Sequence, residues 1–127
     1  MIRVTIWNEF KHEREYEAVR ENYPEGIHGS IAAFLGEEQD IQVRTATFDM
    51  PEHGLTEEVL ADTDVLVFWS HALQDEFSDE VAARVQRHVL AGMGLVALHS
   101  THFSKVMKRL LGTSMTLKWK HGEEEKL

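Results

Sequence analysis

Two kinds of hydrophobic pattern alternate along this chain. Period-two alternation marks Ile2-Arg3-Val4-Thr5-Ile6-Trp7 and Gln42-Val43-Arg44-Thr45-Ala46-Thr47-Phe48, where successive side chains point to opposite faces of a sheet. Continuous apolar runs mark Asp64-Val65-Leu66-Val67-Phe68-Trp69 and Leu95-Val96-Ala97-Leu98-His99. Such runs predict strands covered on both faces, as in a parallel sheet. A shorter segment, Met115-Thr116-Leu117-Lys118-Trp119, reads as a fifth strand.

Helical spacing fills the intervals. Ile27, Ile31, Phe34 and Leu35 share one helix face, and Gly36 follows as a stop. Ser78 is placed to cap a helix, with Asp79 and Glu80 in the first turn where the helix dipole favours negative charge. Val81, Val85 and Val89 then line one face before Gly92, and Phe103, Val106, Met107, Leu110 and Leu111 repeat the pattern before Gly112. Thr56 opens a short capped helical turn, and the charged stretch 9–22 reads as a surface helix stopped by Pro24. Strands alternating with helices of this length predict βαβ units. The expectation is one α/β domain over residues 1–127, built on a mainly parallel central sheet, with the polar tail 120–127 frayed.

Composition narrows the function. The 127 residues suit a single domain. With no Cys there is no disulfide, no thiolate metal ligand and no cysteine nucleophile, which fits a reducing, cytoplasmic setting. A net charge of −9 repels phosphate backbones and anionic lipid, so no nucleic-acid and no membrane partner is expected. No apolar run approaches the roughly 20 residues that span a bilayer, and Met1–Asn8 turns polar too soon for a signal peptide. Lys105, Lys108 and Arg109 read as a solvated helix face.

Ligands of open α/β sheets bind beyond the carboxyl ends of the strands, where strand order reverses. If the first and third strands are neighbours, as in the flavodoxin-like order, that edge collects three groups of residues. They are Trp7, Asn8 and Glu9; Trp69, Ser70 and His71, with Asp75 and Glu76 nearby; and His99, Ser100, Thr101 and His102. No G-x-G-x-x-G follows the first strand and no P-loop is present, so a nucleotide cofactor is not expected. His71, His99 and His102, with His28 or Asp75 in support, are candidate ligands for Zn²⁺ or another divalent metal; the alternative is a metal-free polar pocket. Ser100 stands where a buried strand turns into a helix, the place of a nucleophile elbow, without the flanking glycines of G-x-S-x-G. The plainer reading is a helix cap by Ser100, Thr101 or Ser104. Trp7 and Trp69 are candidate aromatic walls or core residues. His12 and His88 read as helix-surface side chains, and His53 as a solvated turn residue.

Longer motifs carry a family resemblance. Trp7-Asn8-Glu9-Phe10 with His12-Glu13, then Tyr23-Pro24-Glu25-Gly26-Ile27-His28-Gly29, resemble the opening of ThuA-like trehalose-utilisation proteins. Pro51-Glu52-His53-Gly54-Leu55-Thr56, Gly92-Met93-Gly94-Leu95, Leu98-His99-Ser100 and Leu117-Lys118-Trp119 continue the likeness in order. The resemblance implies a flavodoxin-like, class I glutamine amidotransferase-like three-layer fold. Because Ser100 or His99 stands near the position of the amidotransferase cysteine, a glutaminase is not implied. It further implies a role in the use of trehalose or a related disaccharide, and that this chain corresponds to the N-terminal half of a longer member. Family members usually carry Gly where Ser70 stands and often His where Gln74 stands.

The expected catalytic residues are then His99, Ser100 and His102. The expected sugar contacts are Trp7, Asn8, Glu9, His28, Trp69 and His71. Three roles follow: an enzyme acting on a disaccharide or its oxidised derivative, a non-catalytic sugar-binding or regulatory subunit, or a module that self-associates as a homo-oligomer to complete its sheet.

Overall fold

The computed structural model describes residues 1–118. Four strands, β1 (Ile2–Asn8), β2 (Ile41–Thr47), β3 (Val65–Trp69) and β4 (Gly94–Ala97), form one all-parallel sheet in the order β2-β1-β3-β4. This is the flavodoxin-like arrangement. After β2 the chain returns past β1 to build β3 and β4, so strand order reverses between β1 and β3. Asn8 and Trp69 are register partners at that reversal, the place where ligands of such sheets bind.

Strand parity sorts the core into two layers. Val4, Ile6 and Val67 face the helix α3 (Gly26–Leu35), which covers them with Ile31, Ala32 and Leu35. Trp7, Leu66 and Phe68 face the opposite way, against α4 (Glu57–Ala61), α5 (Asp79–Leu90) and α6 (Lys105–Leu111). Leu66 and Phe68 have no exposed surface, and burying a side chain of that size contributes roughly 1.5–3 kcal/mol. Ser78 caps α5 by accepting from the Val81 N–H at 3.3 Å. Gly112 closes α6 in the left-handed conformation, φ 65°. At the far end of the sheet, Asp64 accepts the backbone N–H of Arg3 at 2.8 Å and two bonds from its guanidinium at 2.9 and 2.7 Å. That fork ties the start of β1 to the start of β3.

Three expectations change. The charged stretch 9–22 is not one helix but two short ones, α1 (His12–Glu15) and α2 (Glu17–Asn22), separated by extended backbone at Tyr16. The run Leu95–His99 is not covered on both faces. Among the described residues β4 is an edge strand, α3 packs over β1 and β2, and Val96 is left 47% exposed. Residues 115–118 form no strand, and Trp119 and the tail lie outside the described residues. Among the described residues no helix is long and apolar enough to cross a membrane.

Candidate functional site

The site is organised from beneath by a carboxylate. Glu9 follows β1, and its side chain has no solvent exposure. Its Oε2 accepts the backbone N–H groups of His71 and Leu73, both at 3.0 Å, and the Ser70 hydroxyl at 3.2 Å. Oε1 accepts the Ala72 N–H at 2.8 Å. Three successive amides therefore converge on one charge, which offsets the cost of burying it. Four consecutive residues of the loop after β3, Ser70 to Leu73, bond this side chain.

That loop delivers His71 to Ser100. The Ser100 hydroxyl lies 2.5 Å from His71 Nδ1, and Ser100 is buried. Ser100 is not the helix cap, because Ser104 accepts the Met107 N–H at 3.2 Å at the start of α6. Thr101 is committed elsewhere: its hydroxyl donates to the Phe68 carbonyl at 3.1 Å and accepts the Ser70 N–H at 3.2 Å. A hydroxyl free of capping duty and bonded to an imidazole is the local arrangement of a serine activated by a base.

A cavity of about 470 Å³ opens over this pair, within the roughly 300–1,000 Å³ usual for small-molecule sites. Trp69, His71, His99, Ser100 and His102 line it, with His12, Gln74 and Phe103. Trp69 is fixed by donating its indole N–H to the His99 carbonyl at 2.7 Å, and Gln74 Nε2 donates to the Ser100 carbonyl at 3.3 Å. A smaller hollow of about 180 Å³ lies between Arg3 and Arg44 at the other end of the sheet, where Asp62 already pairs both guanidinium groups.

The remaining predicted residues lie outside the cavity. Trp7 is a core residue: it stacks on Phe68 at 4.5 Å between ring centres, meets Phe77 edge-on and donates its indole N–H to the His53 carbonyl. Asn8 is buried; its amide donates to Glu13 at 2.7 Å and lies 3.0 Å from His28 Nδ1, while its Oδ1 accepts the Phe10 N–H. Burial holds the His28 imidazole below its ordinary pKa, against the opposing pull of Glu13. Glu9 acts behind the wall. Among the described residues no three His, Asp or Glu groups are gathered to hold an ion, and His71 Nδ1 already faces Ser100.

Two histidines read as surface residues are not. His12 lines the cavity, with Nδ1 buried 3.7 Å from Glu9 Oε1 and its ring 5.2 Å from that of His71. α1 ends in extended backbone at Tyr16, and helix periodicity across 9–22 does not report that break. His53 is packed between Phe48 and Phe77. Its Nδ1 is 2.7 Å from the Phe48 carbonyl, and its Nε2 accepts the Ser78 N–H at 3.0 Å.

The fold and site define a flavodoxin-like α/β protein with a serine–histidine pair beyond the carboxyl ends of β3 and β4. Residues 3–126 match the family ThuA, described as trehalose utilisation, and the chain belongs to that family. No curated protein matches the sequence.

Proposed function

We propose that this chain acts on a disaccharide of the trehalose type, or its oxidised derivative, in the cavity over Ser100 and His71. The observation that carries the reading is the hydrogen bond between Ser100 Oγ and His71 Nδ1 at the cavity floor. In this mechanism His71 accepts the Ser100 proton as the serine oxygen bonds to an electrophilic sugar carbon. It then returns the proton to the departing oxygen; a water that gives its proton to His71 next displaces the serine oxygen from the sugar carbon, and His71 hands that proton back to Ser100. Glu9 is a positioning residue, because it holds the His71 backbone and does not reach the cavity. The indole of Trp69 offers an apolar face to sugar C–H groups.

The test is turnover of trehalose and of keto-trehalose, followed by NMR of the reaction mixture, for the wild type and Ser100→Ala. Product formed by the wild type and lost in the variant supports the reading. Product formed equally by both refutes the role of Ser100. Binding without product in either protein selects a sugar-binding module instead.

A further inference from the structure

The chain carries 22 acidic side chains against 13 basic ones, yet no carboxylate lines the cavity among the described residues. Its polar wall consists of four imidazoles, those of His12, His71, His99 and His102, together with Gln74 and Ser100. Glu9, behind His12 and His71, has no exposed side-chain surface, and both its oxygens are committed to donors from the loop Ser70–Leu73. An acid-rich protein has thus kept negative charge out of this one hollow.

The consequence is chemical. A neutral sugar presents many hydroxyl donors, and carboxylates, which only accept, suit it well. This wall lacks them. Imidazoles offer ring N–H donors instead. If Nδ1 of His71 accepts from Ser100, its ring proton sits on Nε2. His12 turns its buried Nδ1 toward Glu9 Oε1 at 3.7 Å, which favours the ring proton on that nitrogen and leaves Nε2 as an acceptor, so the donor edge for a ligand falls to His71 and its neighbours His99 and His102. Donors without opposing carboxylates match an oxygen-rich anion, and an anion also meets no like charge there.

We infer that the ligand of this cavity is an anionic sugar derivative, a sugar phosphate or sugar carboxylate, in preference to a neutral disaccharide. The inference rests on the sugar-site reading above and names the ligand class of that same site.

Isothermal titration of the full chain with trehalose, trehalose 6-phosphate, lactobionate and inorganic phosphate tests it. The expected result is at least tenfold tighter binding of one or both charged sugars than of trehalose, with the gap narrowing as salt rises. The variant His102→Glu places a carboxylate on the rim and should weaken the charged sugars at least tenfold. His99→Leu removes one ring from the wall and is a second, milder probe should the first variant lose its far-UV circular dichroism. Trehalose binding as tightly as the charged sugars overturns the inference and leaves the sugar site standing. Inorganic phosphate binding as tightly as trehalose 6-phosphate overturns the sugar part of it. Anion preference that survives both variants also overturns it, and binding of no probe at all overturns both readings.

Discussion

Glu9 Oε2 accepts the backbone N–H of His71 at 3.0 Å across 62 residues of sequence. The bond joins the loop after β1 to the loop after β3, the two sides of the switch point. Because the neighbouring amides of Ala72 and Leu73 bond the same carboxylate, the loop cannot shift as a unit without abandoning several charge-assisted bonds at once.

Glu9→Gln should therefore both destabilise the protein and loosen the site. The glutamine amide turns an N–H₂ toward amides that need an acceptor, and hydrogen bonds to a charged group are worth about 1.5–3 kcal/mol each. A loss of about 2–4 kcal/mol in urea unfolding is expected. Trp69 fluorescence should also change under native conditions. Unchanged stability would mean the loop is held by something else.

Ser100→Ala and His71→Gln should each reduce turnover by about 10²–10⁴-fold if the pair acts as nucleophile and base. The double variant should be little worse than either single one, because members of one catalytic unit are not additive. Additive losses would argue that the two residues act separately.

His53→Phe keeps a ring between Phe48 and Phe77 but removes both polar contacts. The Ser78 N–H at the start of α5 and the Phe48 carbonyl lose their partner, at about 1–3 kcal/mol for each buried group left unsatisfied. Thermal unfolding should show a lowered midpoint. A midpoint equal to the wild type would show that water replaces the imidazole at both atoms.

Asp64 gives the acid limb of stability a specific source. The Arg3 guanidinium and backbone N–H hold its carboxyl well below the usual carboxylate range. With the folded value depressed, the unfolded chain binds the proton first. The stabilisation is complete above the ordinary carboxylate pKa of about 3.9 and drains away as pH falls below it. Asp64→Asn should lower the urea midpoint near neutral pH and flatten its fall between about pH 4 and 2, so that the two curves converge in acid. Parallel curves over that range would assign the acid sensitivity to other carboxylates.

Much of this protein is local in origin, and that part is legible in the sequence. Alternating and continuous apolar runs place β1, β2 and β3, because strand parity and burial act residue by residue. Ser78, Thr56 and Gly112 mark helix ends because caps act within a turn. The position of Ser100 and His71 at the carboxyl edge follows from the same reading plus the rule of the switch point.

What the tertiary structure alone decides is which face and which partner each side chain meets. Trp7 is next to last in β1 and Trp69 last in β3, yet Trp7 is the register partner of Phe68 and joins the core, while Trp69 pairs with Asn8 on the opposite parity and walls the cavity. His12 and Ser100 come together around His71 only because β1, β3 and β4 lie side by side in the sheet. Glu9 reads as a ligand contact from its place after β1 and proves to be the anchor of another loop. Contacts between residues dozens of positions apart depend on chain crossovers and packing, and no local pattern encodes them.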